Sequence, residues 1–344
     1  VGRGREVATD SGAGIWASPT PAASDVPAEL RRTLGEGATP LERSDSDPRL
    51  WLKREDRNPT GSHKDRAAAY QLAASAARGD RAVTISSSGN AAIATSRYAA
   101  LHELPAFVFV HPDTDPAKLA AIDGSTTTLV VGERAINGAK LLARELRIPN
   151  LRPSTNDESL VGYASLGEEL AQELPDEVDT LVICATSGAT AIAVANVLAR
   201  ARPHIQVHVV QGEGNTGLVA PEREITDRGA HAAAAGRLGV RRSRRGRELR
   251  AAMEETGGAG HVATAADVAA ARELLAADGI DVSDESAANI AIAQQLADAG
   301  RHPCVIISGA PAELRGGVPP TRIETSDEHV ALERVRLWLG ENGA

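Results

Sequence analysis

The sequence predicts an α/β fold in which parallel sheets are covered by helices. Three observations lead there. From about residue 50 a pattern repeats: a short β-branched run, a polar or Gly-rich turn, then an Ala/Leu-rich helical stretch. Such alternation implies right-handed βαβ units. Strands such as Leu181–Cys184 are apolar on both faces, as a sheet buried on both sides requires. Finally, 344 residues with 42% hydrophobic and 24% charged side chains suffice for a full core in one large or two ordinary domains. With only 3 Trp, 3 Tyr and 2 Phe, that core must be built from Ala, Leu, Val and Ile.

Residues 1–30 are rich in Gly, Ala, Ser and Pro and read as an extended N-terminal arm. The β-branched runs predict strands at Ala82–Ser86, Ala106–Val110, Thr127–Val131, Thr180–Cys184, Gln206–Val210 and Cys304–Ile307. The Ala/Leu-rich stretches predict helices at Lys64–Arg78, Asn90–Leu101, Glu133–Leu146, Leu160–Leu174 and Ala189–Ala201. Three more follow at Arg247–Glu255, Ala265–Ala276 and Glu285–Ala299.

Charge and composition exclude several classes. The formal charge of −9 argues against a nucleic-acid or anionic-membrane binder. The scarcity of aromatics removes base-stacking platforms. No apolar run approaches bilayer length, and the first residues carry no basic-then-apolar leader. Cys184 and Cys304 flank strand-like runs and read as buried core residues. No metal-ligand spacing occurs, so a reduced, cytoplasmic protein without a metal is expected. The run Arg237, Arg241, Arg242, Arg244, Arg245, Arg247 and Arg250 reads as a solvated loop and helix start, or as an anion or partner contact. Charge runs favour the first.

Three stretches carry chemistry. In Lys53–Arg66, Asn58-Pro59-Thr60-Gly61 signals a turn, and Ser62 can cap the helix that follows. Lys64 then stands in the first turn, where the helix macrodipole disfavours an ammonium and favours the free amine that forms Schiff bases. Ser86–Asn90 follows a strand and opens a helix; its hydroxyls, Gly89 and free helix N–H groups suit a carboxylate. Thr186–Thr190 repeats that design and suits a phosphate. Each loop alone also reads as an ordinary turn.

Together these residues resemble the threonine synthase branch of the fold-type-II pyridoxal-phosphate enzymes, over nearly the whole chain. Gly35–Leu41 is similar to GEGxTPL, and Asn58–Arg66 to NPTGSFKDR, whose lysine holds the cofactor. Ser87-Ser88-Gly89-Asn90 resembles STGN, whose Asn contacts the ring hydroxyl of the cofactor. Thr186, Ser187, Gly188, Ala189 and Thr190 stand at the phosphate loop. Ser308-Gly309 resembles the pair whose hydroxyl meets the pyridine nitrogen. The resemblance implies a larger domain of residues 1–67 and 166–344 and a smaller one inserted at 68–165. Pyridoxal 5′-phosphate lies in the cleft between them, and the substrate is an amino acid. Lys64 is the implied Schiff-base lysine and general base; Ser87, Ser88, Gly89, Ser154 and Asn156 are the implied substrate contacts. A homodimer is expected.

The departures bear on the substrate. His63 replaces the usual Phe; its ring either acts beside Lys64 or stacks where that Phe lies, and adjacent helix residues point apart, which favours stacking. Ala91 replaces a Thr. In Ser154–Gly162, similar to SxNxxRxxG, Ser159 stands in place of the Arg. Ser308-Gly309-Ala310-Pro311-Ala312-Glu313 departs from TGHGLKD, and the phosphate loop keeps a single glycine. The expected function is elimination or replacement of a β or γ substituent of an amino acid. With the Arg gone, a β-substituted alanine or a serine or threonine derivative is the expected substrate, in preference to O-phosphohomoserine. A threonine synthase acting on O-phosphohomoserine, a serine/threonine dehydratase and a non-catalytic ligand-binding relative are the alternatives.

Overall fold

The computed structural model describes residues 14–17, 25–213, 216–220, 244–310, 318–325 and 327–342. In chain order the elements are β1 (Leu41–Arg43), β2 (Trp51–Lys53), α1 (Lys64–Arg78), β3 (Val83–Ser86) and α2 (Asn90–Leu101). Next come β4 (Ala106–Val110), α3 (Pro116–Ala120), β5 (Thr127–Val131), α4 (Ala135–Leu146) and α5 (Glu158–Glu173). They are followed by β6 (Thr180–Cys184), α6 (Ala189–Ala201), β7 (Gln206–Gly212), α7 (Gly246–Thr256) and β8 (Gly260–Ala263). The last are α8 (Ala265–Ala277), α9 (Asp284–Asp298), β9 (Pro303–Ile306), β10 (Thr321–Glu324) and α10 (Glu328–Asn342). All six expected strands and all eight expected helices are present, with ends shifted by up to two residues.

Two sheets result. One has six strands in the order β1-β2-β9-β6-β7-β8, parallel except for the β1–β2 pair. The other has four parallel strands in the order β10-β5-β4-β3. Successive side chains of a strand point to opposite faces, and both faces are apolar. Leu181 and Ile183 of β6 pack with residues of α6 and α7, whereas Val182 packs with α8 and α9. In the second sheet Ile85, Val108 and Leu129 face α1 and α2, while Phe107, Phe109 and Val130 face α4 and α10.

The end of the chain differs from expectation. Residues 321–342 were expected with the larger unit, but β10 pairs with β5 and α10 packs on α4, so this segment completes the four-stranded sheet. The strand reads Thr-Arg-Ile-Glu, and only Ile323 is buried. A four-residue edge strand that is mostly polar leaves no apolar run to read. Among the described residues no helix is long and apolar enough to cross a membrane.

A buried ionic cluster ties these parts together beneath α1. The Arg66 guanidinium, with no exposed surface, forks onto Glu55 at 2.7 and 2.8 Å and onto Glu169 of α5 at 2.7 and 2.8 Å. Lys53, also fully buried, reaches Glu169 at 2.9 Å, Glu173 at 2.7 Å and the Thr39 carbonyl at 2.8 Å. Despite burial, the hydrogen bonds and charge of Arg66 hold the Glu169 carboxyl down at about 2. Bidentate guanidinium–carboxylate contacts of this kind fix geometry as well as charge.

Candidate active site

The C-terminal ends of β3, β4, β5 and β6 face one cavity of about 960 Å³, where open parallel sheets usually take ligands. Lys64, the first residue of α1, lines it. The turn before it is set by Gly61, whose φ of +86° lies in the left-handed region. This turn is laced to the strand extension after β9. His63 N–H donates to the Ser308 carbonyl (3.1 Å), Ala310 N–H donates to the Gly61 carbonyl (3.0 Å), and Ser62 bridges Gly309. The Ser62 hydroxyl accepts from the Lys64 N–H at 3.3 Å, but the cap position itself is His63 and not Ser62 as expected. Asp65 accepts from Thr60 N–H (2.6 Å) and the Thr60 hydroxyl, and burial pushes its carboxyl up to about 7.

Two further helix starts converge on the same space. Ser86–Ala91 and the first turn of α2 line it on one side; Thr186, Ser187, Gly188, Thr190 and Ala191 at the start of α6 line it on another. Gly188 caps α6 with φ +85°, which an L side chain rarely adopts. The first N–H groups of each helix lack intrahelical partners and attract anions. Gly309 allows a close approach: a Cβ there would lie 2.9 Å from Asn90 Nδ2 and 3.1 Å from Ser62 Cβ.

Most of the expected site residues meet here: Lys64, Ser87, Ser88, Gly89, Asn90, Ser154, Thr186, Ser187, Gly188, Thr190 and Ser308 all line the cavity. Ala189 and Asn156 do not. Ala189 is fully buried in the helix packing, and the Asn156 amide donates back to the Asn150 carbonyl at 3.3 Å. Ser159, expected in place of an arginine, is fully buried and donates to the Asn156 carbonyl at 2.7 Å. Arg152 does line the cavity. Burial lowers its pKa, and among the described residues no carboxylate is placed against its guanidinium.

Three expectations are corrected. Cys184 is not a core residue: it lines the cavity with its Sγ 3.8 Å from Ser308 Oγ, and burial pushes the thiol up to about 12. Ser286 Oγ lies 3.2 Å from the same hydroxyl. Arg245 is not part of a solvated run. It is buried and holds Asp157 (2.7 Å), Glu248 (3.0 Å) and the carbonyls of Pro153 and Asn156, bracing the loop that carries Arg152. Arg237, Arg241 and Arg242 lie outside the described residues, as do most of the N-terminal arm and 311–313. Finally, His63 does not point away from Lys64: its Nε2 is 2.7 Å from Lys64 Nζ. His63 is the cap residue, outside the regular helix, so its ring turns back toward the Ser308 carbonyl. Tyr163, which no motif singles out, is fully buried with its ring 5.3 Å from Lys64 Nζ and 5.6 Å from the His63 ring.

Comparison with known proteins gives the family. Residues 32–309 match the family model described as pyridoxal-phosphate dependent enzyme. A threonine synthase of Methanosarcina acetivorans is 27% identical over 297 residues, 78% of this chain and 72% of that protein. A cysteine synthase of a Flavobacterium species is 26% identical over 181 residues, which is 49% of this chain and 59% of its own length. Among solved structures, the processed form of threonine deaminase isoform 2 from Solanum lycopersicum superposes with a TM-score of 0.71 at 20% identity, covering 86% of this chain and 87% of that one. With four-fifths of its length matched by the family model, this chain belongs to the pyridoxal-phosphate dependent enzymes, and its cofactor is pyridoxal 5′-phosphate.

Proposed function

We propose that the protein eliminates or replaces a β or γ substituent of an amino acid, with Lys64 as the lysine that carries the cofactor and moves the Cα proton. The observation that carries this reading is Lys64 at the mouth of a helix, in one cavity with the starts of two others. The space also fits the group. A cavity of about 960 Å³ takes a cofactor and a small amino acid together. The start of α6, with Gly188 at positive φ, offers backbone N–H groups to a phosphate. Ser87, Ser88 and Gly89 would take the substrate carboxylate in the same way at α2, and Asn90 would hold the ring hydroxyl.

When bound, the cofactor stores the electron pair left at Cα. Ser308, whose side-chain hydrogen-bond neighbours are a thiol and a second hydroxyl, would meet the pyridine nitrogen with a neutral group, which does not by itself force that nitrogen to hold a proton. This moderates the electron sink and suits elimination or replacement better than transamination. Substituting Gly188→Asp sets a carboxylate and a strained side chain against the phosphate. Cofactor affinity is expected to fall about tenfold or more; unchanged affinity in a folded variant, read by fluorescence titration, removes the loop from the site.

Arg152 favours a second reading, in which the leaving group is anionic and O-phosphohomoserine is turned over. A half-buried guanidinium that no carboxylate meets among the described residues is a strong site for a phosphate or carboxylate. The test is a substrate panel with product mass spectrometry: O-phosphohomoserine and O-phosphoserine against serine, threonine and O-acetylserine. A 2-oxo acid with ammonia identifies a dehydratase; threonine with inorganic phosphate identifies a threonine synthase; no turnover of any member removes the proposal. In Arg152→Gln, KM for the phosphorylated compounds is expected to rise about tenfold to a hundredfold while the neutral ones are unchanged. Equal effects on both sets would mean that Arg152 meets no substituent.

A further inference from the structure

Among the described residues the ring of His63 has two polar contacts, and they bear on its chemistry. Nδ1 lies 2.8 Å from the Ser308 carbonyl oxygen, and Nε2 lies 2.7 Å from Lys64 Nζ. A carbonyl only accepts, so Nδ1 must carry the proton. Burial disfavours a second proton on the ring, so Nε2 presents its lone pair to an N–H of Lys64 Nζ, whether that nitrogen is an ammonium or a free amine. The ring is therefore neutral and in the Nδ1–H tautomer. We infer that His63 is a positioning residue for Lys64: its Nε2 lone pair accepts a hydrogen bond from Nζ and aims the amine into the cavity.

Several features support this beyond the two distances. The backbone N–H of His63 donates to the same Ser308 oxygen at 3.1 Å, so ring and main chain are anchored on one carbonyl. The Tyr163 ring lies against the imidazole, 5.6 Å between ring centres. Burial, together with the charges of Lys64 and Arg66, keeps His63 well below the usual imidazole range, which agrees with a neutral ring. A lysine stem is flexible, and a fixed acceptor at its tip removes orientations that would not reach a carbonyl carbon. The residue is a departure from the phenylalanine of the motif, and phenylalanine supplies no acceptor. The inference rests on Lys64 being the cofactor lysine, so its test separates the two.

The first measurement is the ¹⁵N spectrum of histidine-labelled full-length protein without and with pyridoxal phosphate, assigned by the signal lost in His63→Phe. In the cofactor-free protein at neutral pH, His63 is expected to show a protonated Nδ1 and an unprotonated Nε2. An Nε2–H tautomer or an imidazolium overturns the inference. The second measurement is the rate at which the cofactor-free chain captures pyridoxal phosphate, followed by absorbance. Losing one hydrogen bond is expected to slow His63→Phe about tenfold, and His63→Gln, whose amide oxygen is again an acceptor, is expected to recover to within about threefold. A wild-type capture rate in folded His63→Phe also overturns it. Lys64→Ala serves as the control: if it develops the same covalent absorbance band, the assignment of Lys64 fails, while the tautomer still decides the role of His63.

Discussion

Lys64→Ala is expected to fold normally, to lose the absorbance band of the covalently held cofactor, and to lose activity by about a thousandfold or more. The side chain starts α1 at the cavity, while the helix it begins is held by residues behind it. Asp65 and Arg66, next in sequence, are fully buried and make their contacts without the Lys64 amine. Truncation to alanine therefore removes a reactive nitrogen and leaves the scaffold in place. Borohydride reduction of wild-type holoenzyme followed by peptide mapping checks the assignment. An adduct on another lysine, or an alanine variant of near-normal turnover, shows that the chemistry resides elsewhere.

Arg66→Ala is expected to destabilise the protein by about 3–5 kcal/mol, the usual cost of stripping one partner from a buried ion pair. Glu55, also without exposed surface, and the mostly buried Glu169 would each lose a forked cation. The pH dependence has a definite sign. Glu169 titrates near 2 in the folded protein against an ordinary 4.5, so its contribution is present above about 4.5 and is lost as pH falls toward about 2. The difference between wild type and Arg66→Ala in urea unfolding should therefore be full at pH 7 and shrink through that window. A difference below about 1 kcal/mol at neutral pH would mean that the cluster is solvated enough to be dispensable.

The sequence made the layered core legible because its strands are unbroken apolar runs and its helices are Ala-rich stretches between them. It hid the sheet margins. β1, β2, β8 and β10 are three or four residues long and carry Arg, Lys, Glu or His, so neither length nor alternation marks them. α10 buries a narrow stripe, Ala331, Leu332 and Val335, and its exposed Leu337 blurs the period. At the site, residues on contiguous loops were legible because a lysine, small residues and hydroxyls at a strand-to-helix turn state their chemistry locally. Residues that act through tertiary contact were not. Tyr163 stands in no motif, Arg245 reads as one charge in a run, and His63 as a neighbour pointing elsewhere; each is placed by a part of the chain distant in sequence.

The position of β9 has a consequence for how such a chain is made. This strand comes from residues 303–306, yet it lies between β2 and β6. On the other sheet, β10 covers the edge of β5 and is later still. During synthesis, which proceeds from the N-terminus, β2 and β6 must wait as open edges while some 120 residues beyond β6 are added. Neither sheet is complete until those late strands arrive, so β2, β6 and β5 each present an unpaired edge to the solvent of the nascent chain. Its vulnerable interval is translation, when exposed edges invite association with other chains and make a holding chaperone most useful.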